Sequence, residues 1–64
     1  MKFKELRTGV CFAHGMDVYK KVEKHWASLD PKSPTSWHEV NAVDCATGHL
    51  AYFEDDFEDF RIGR

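Results

Sequence analysis

No stretch of this chain is apolar enough to cross a bilayer. Hydrophobic residues make up 42% of it, but charges interrupt them throughout, and a spanning helix needs about 20 consecutive apolar residues. The opening MKFKELRTG carries no apolar segment of the kind a secretory signal has, so a soluble protein in a cytoplasm is expected. Cysteine is limited to two copies, which in a reducing compartment points to free thiols. Neither sign of charge dominates: the formal net charge is -2, and nothing global marks a nucleic-acid or membrane surface. Repeats and low-complexity segments are missing. The carboxylates do not have the spacing of an EF-hand loop. No base can be set beside either cysteine to make a nucleophile. The expectation is therefore a domain with no enzymatic activity, no catalytic residues and no cofactor.

What the chain does have is rings and turns. Its 64 residues form one domain, spanning 1–64. A chain this short buries only about 60% of the surface its unfolded form exposes. Five Phe, two Trp and two Tyr compensate, because each ring buries a large area for little entropy.

Segment 41–53, NAVDCATGHLAYF, reads as a strand, a glycine turn and a returning strand. A two-residue loop would force Thr47 to positive φ, which a β-branched residue resists. The expected turn is a type I turn over Ala46 and Thr47, with Gly48 as the left-handed bulge residue. Cys45 then faces His49 and Val43 faces Ala51. The core face becomes Val43, Cys45, Ala51 and Phe53; a slip of one residue would exchange the faces.

Before this hairpin, residues 2–7 form an extended lead-in or one helical turn that lays Phe3 and Leu6 on the core. A first strand at 10–13 and a second at 18–22 make a hairpin around His14-Gly15-Met16-Asp17. Lys20 and Lys21 are the charged neighbours that keep a sheet edge soluble. Residues 23–39 then lose all periodicity. Both prolines of the chain lie here, and the expectation is a long loop, with a short helix near 24–28 ended by Asp30-Pro31. After the central hairpin, Glu54-Asp55-Asp56 turns the chain and Phe60 with Ile62 forms a last strand. Phe57 sits at the turn.

Several of these residues carry a family resemblance: Leu6, Gly9 and Phe12, then Val18-Tyr19 with the lysines, Asn41-Ala42-Val43, Thr47-Gly48, Phe53 and Asp55-Asp56. Together they resemble a group of very small phage and prophage proteins that look like SH3-like β-barrels of five short strands. The resemblance implies a mainly β, five-stranded SH3-like barrel, with the tryptophan segment a long loop inserted between the second and third strands. It also implies a binding or host-modulating role rather than catalysis.

Three constellations carry chemistry. Cys11-x-x-His14 and Cys45-x-x-x-His49 have spacings that could hold a tetrahedral zinc, although Cys45 serves equally well as a small core residue. The acidic run Glu54, Asp55, Asp56, Glu58 and Asp59 is either a solvated turn or a phosphate-like surface for a basic protein. Trp26, Trp37, His25 and His38 either cap a barrel or form a desolvated contact patch. The expected contact residues are Trp26, Trp37, His38, Tyr52, Asp55, Asp56, Glu58 and Asp59. The expected partner is a protein, such as a host protein in a nucleic-acid-handling defence complex. Single-stranded nucleic acid stacked on the indoles is the alternative partner, and a zinc-stabilised domain a further one. Edge pairing into a dimer is left open.

Overall fold

The computed structural model describes residues 1–28, 30, 32 and 35–62. Five antiparallel strands form one sheet: β1 (Cys11–His14), β2 (Asp17–Ser28), β3 (Trp37–Asp44), β4 (Leu50–Ala51) and β5 (Arg61–Ile62). Their spatial order is β4-β3-β2-β1-β5. β4 and β5 are the two edges, and no ladder among the described residues joins them. No helix there is long and apolar enough to cross a membrane.

The first hairpin follows from its glycine. His14 pairs with Asp17, leaving Gly15-Met16 as a two-residue loop. Gly15 has φ +63°, and among the described residues no non-glycine residue has positive φ. Positive φ at the first central position alone is the signature of a type II′ turn, whose twist matches the flanking strands.

The core lies over one face of the sheet. Phe3, Leu6, Phe12 and Ala42 are buried, and Val10, Tyr19, Ala51, Phe53, Phe57 and Phe60 pack around them. Phe12 sits at the centre, with ring centroids 5.4 Å from Phe3, 5.3 Å from Phe53, 5.5 Å from Phe60 and 5.7 Å from Tyr19. Most of these pairs are edge-to-face, as the ring quadrupole favours. Burial pushes the Tyr19 hydroxyl above its usual pKa, with Asp17 and Asp44 adding to the shift.

A single 3-10 turn at Phe3–Glu5 delivers Phe3 and Leu6 to this core. Its ends are fastened twice. The Phe3 amide donates to the Phe57 carbonyl at 2.8 Å and the Lys4 amide to the Asp55 carbonyl at 2.9 Å. From beneath, the Lys21 ammonium donates to the Phe3 and Leu6 carbonyls at 2.8 and 2.6 Å and lies 4.5 Å from the centroid of the Phe3 ring.

Lys21 is thus a half-buried clasp in a central strand. The expected edge role of Lys20 and Lys21 does not hold, because β2 lies between β1 and β3. Lys21→Met keeps the stem but removes both charge-assisted bonds. We expect it to cost about 2–3 kcal/mol of unfolding free energy in a urea titration.

The central hairpin forms at the expected place but one residue out of register. Ala42 pairs with Ala51 and Val43 with Leu50, so the core face is Ala42, Ala51 and Phe53. Val43 is only half-buried and Cys45 is exposed. The cause is Asp44. Its carboxylate accepts from the Ala46 and Thr47 amides at 2.8 and 3.2 Å, which starts the turn one residue earlier than a type I turn over Ala46 and Thr47 would. The Gly48 amide then closes on the Asp44 carbonyl at 2.8 Å, with Gly48 at φ +79°.

The largest departure from expectation concerns 23–39. Trp26 lies within β2 and Trp37 within β3; neither is in a loop. β2 runs 12 residues, through the short helix expected near 24–28. The pairing continues through His25↔Val40, Trp26↔Glu39, Ala27↔His38 and Ser28↔Trp37. Between Lys21↔Ala42 and His25↔Val40, the three residues Val22, Glu23 and Lys24 stand against Asn41 alone. This bulge adds two unpaired residues and, with Glu23 and Lys24 exposed in it, breaks the apolar pattern that a period-2 reading needs. Pro31 and Pro34, which suggested a loop, lie outside the described residues.

Candidate functional site

Beyond the bulge, β2 and β3 continue as a two-stranded ribbon that the other strands do not flank. β1 pairs with β2 only up to Lys20, and β4 pairs with β3 only at Ala42 and Val43. Side chains alternate across a strand, so Trp26, Ser28, Trp37 and Glu39 share one face and His25, Ala27, His38 and Val40 the other. Val40 shares its face with Ala42, and the tryptophans therefore lie on the reverse side from the aromatic core. The two indoles are diagonal neighbours across the ladder. Trp26 is 64% exposed and Trp37 54%.

His25 and His38, expected beside the indoles, are on the opposite face. The His25 Nδ1 is 2.7 Å from the Glu23 carbonyl, and this contact covers part of the open β2 edge. His38 instead joins Glu39, Val40, Leu50, Ala51 and Tyr52 around a shallow groove of about 420 Å³. Tyr52 is exposed there, with the Lys24 ammonium 5.9 Å from its ring centroid.

The acidic residues belong to another part of the molecule. Asp55, Asp56, Glu58 and Asp59 are exposed, while Phe57 among them and Phe60 just after them turn into the core. The backbone here is tied down: Phe57 N–H donates to the Glu54 carbonyl at 3.1 Å, and the His14 Nδ1 is 2.9 Å from the Asp59 carbonyl. The structure thus brings Trp26 and Trp37 together, places His38 beside Tyr52, and leaves the acidic segment separate from both.

The four residues with zinc-like spacing do not meet. Cys11 projects from the reverse face of β1, whereas His14 packs its ring against Phe53 and Phe57 in the core. No group of three or more metal-ligating side chains exists among the described residues. Cys11 and Cys45 are both free and exposed. The Cys45 thiol is raised above its usual pKa by desolvation first, then by Cys11 and by Asp44; Lys20 opposes the shift.

Sequence reasoning missed Asn41. Its side-chain amide donates to the Phe53 carbonyl at 2.8 Å and its carbonyl accepts from the Phe53 amide at 2.9 Å. It acts as a surrogate backbone, holding the chain where β4 leaves the ladder. The available signal was a lone amide in an apolar strand, Val40-Asn41-Ala42-Val43, since a buried amide needs partners.

Comparison with protein-family models, with curated proteins and with solved structures returns no match.

Proposed function

We propose that this is a small non-enzymatic binding domain, an SH3-like barrel of the phage type, that engages a host protein in the cytoplasm through the tryptophan face of its ribbon. The observation that supports this reading is the pair of indoles, each more than half exposed on one face of a hydrogen-bonded ribbon. Tryptophan dominates the desolvated centres of protein interfaces, and a ladder holds the rings in place before binding, which lowers the ordering cost. Five antiparallel strands in one sheet, with an aromatic core packed on one face, support the barrel reading. The acidic segment, held by its backbone with its carboxylates outward, offers a second contact for a basic partner.

Single-strand binding would use the same indoles for base stacking. Glu39, directly opposite Trp26 on that face, would repel a phosphate backbone, so the protein reading is favoured. The test is capture from host lysate with the wild type and with a Trp26→Ser, Trp37→Ser double variant. Loss of two exposed rings is expected to leave unfolding free energy within about 0.5 kcal/mol. It should weaken partner capture at least tenfold. Equal capture by the variant would refute the tryptophan face. Binding to oligonucleotides that falls steeply with salt would support the nucleic-acid reading instead.

A further inference from the structure

We propose that the free edge of β2 pairs with the same edge of a second copy of this chain, in an antiparallel ladder centred on Trp26.

The register decides which backbone groups point outward. The Asp44 amide donates to the His49 carbonyl at 2.8 Å, so Asp44 turns its backbone toward β4. Backbone groups alternate sides along an extended strand. His38, Val40 and Ala42 therefore face the same way as Asp44, while Trp37 and Glu39 face β2. Their partners Ser28 and Trp26 are the residues of β2 that bond to β3 here. His25 and Ala27 turn their N–H and C=O groups to the other side. Among the described residues no strand pairs there, because the β1 ladder ends at Lys20. His25 is exposed and Ala27 half-buried, and Trp26 between them is 64% exposed.

An unpaired edge is a template for another strand, and this one is complementary to itself. In an isologous pair centred on Trp26, His25 of each copy lies opposite Ala27 of the other. Each of these pairs exchanges two hydrogen bonds. Trp26 then faces Trp26 of the second copy in a non-hydrogen-bonded pair, where side chains approach most closely. Next along, Lys24 faces Ser28. No like charges stand opposite each other in this register. The Glu23 carbonyl, 2.7 Å from the His25 Nδ1, lies outside these pairs.

The β3 edge of the ribbon suits self-pairing less. Val40 is 2% exposed, which keeps its backbone from an incoming strand. A pair centred on Glu39 would also set two carboxylates directly opposite. The β2 ladder is short, so the dimer belongs to the weak, transient class. It goes beyond the tryptophan-face reading, since it rests on an open backbone edge. Its effect on that face is to place Trp37, Trp26, Trp26 and Trp37 in one row across two copies.

The test is sedimentation equilibrium of the full chain, with thiols kept reduced, from about 10 μM to about 1 mM. A reversible monomer–dimer equilibrium is expected. Ala27→Pro removes an outward amide and no bond to β3, and proline is tolerated on an edge. It keeps both indoles and should weaken the dimer at least tenfold. Trp26→Lys, at an exposed position, opposes two ammonium groups and should weaken it as much. His38→Pro, on the β3 edge, should dimerise like the wild type. Amide exchange at His25 and Ala27 of the wild type should slow at least threefold from the lowest to the highest concentration, a readout that needs no variant. A wild type that stays monomeric throughout would overturn the proposal. So would Trp26→Lys or a folded Ala27→Pro that dimerises as tightly as the wild type, loss of the dimer in His38→Pro, or assembly beyond two copies.

Discussion

Phe12→Ala should leave most of the protein unfolded at 25 °C. Phe12 is fully buried and packs on four other rings. Truncating such a side chain costs about 3–5 kcal/mol, as lost burial plus the cavity that remains. A single core in a chain this short rarely supplies more than about 3–5 kcal/mol in all. The two magnitudes are equal, so little net stability remains. Phe12→Leu, which keeps most of the volume, should lose about 1–1.5 kcal/mol and stay folded. Far-UV circular dichroism with urea titration separates the two outcomes. A cooperative, near-wild-type transition for Phe12→Ala would mean the rings form several independent contacts and no single core.

Asn41→Leu is the second large effect, and its mechanism differs. The substitution leaves the apolar surroundings filled but removes both partners of the Phe53 backbone. An unsatisfied buried polar group costs about 1–3 kcal/mol, and here an N–H and a C=O lose their bonds together. We expect a loss of about 2–4 kcal/mol. Amide exchange at Phe53 should rise further than at Phe12, because the local tie fails before the core does. Unchanged protection at Phe53 would show that another group holds this strand.

The parts of the fold legible in the sequence were those governed by local chemistry. Gly15 and Gly48 marked their turns, and both take positive φ. Phe3 and Leu6 were readable as core because three-residue spacing puts them on one side of a single turn. The Glu54–Asp56 turn was readable for the same kind of reason.

Three features were not readable, because a side chain, a bulge or a solvated ribbon outweighed the local rule. Asp44 captures two amides and moves the hairpin register by one residue. Val22, Glu23 and Lys24 face Asn41 alone, so two extra residues, with polar Glu23 and Lys24 among them, interrupt the ladder where β2 continues. The ribbon beyond has solvent on much of both faces, which removes the hydrophobic pattern on which strand reading depends. At the candidate site, the composition of the tryptophan segment suggested an exposed patch. That Trp26 and Trp37 share a face, and that His25 and His38 lie behind them, required the ladder register.

The two-stranded ribbon has a further consequence for how this protein can change over generations. Among the described residues, none of those packed in the aromatic cluster lies between 23 and 39. Substitutions on the outward face of the ribbon therefore act far from the groups that keep the chain folded, and distant sites contribute nearly independently to stability. A lineage could exchange Trp26, Ser28, Trp37 or Glu39 to follow a drifting target while its scaffold tolerates each step.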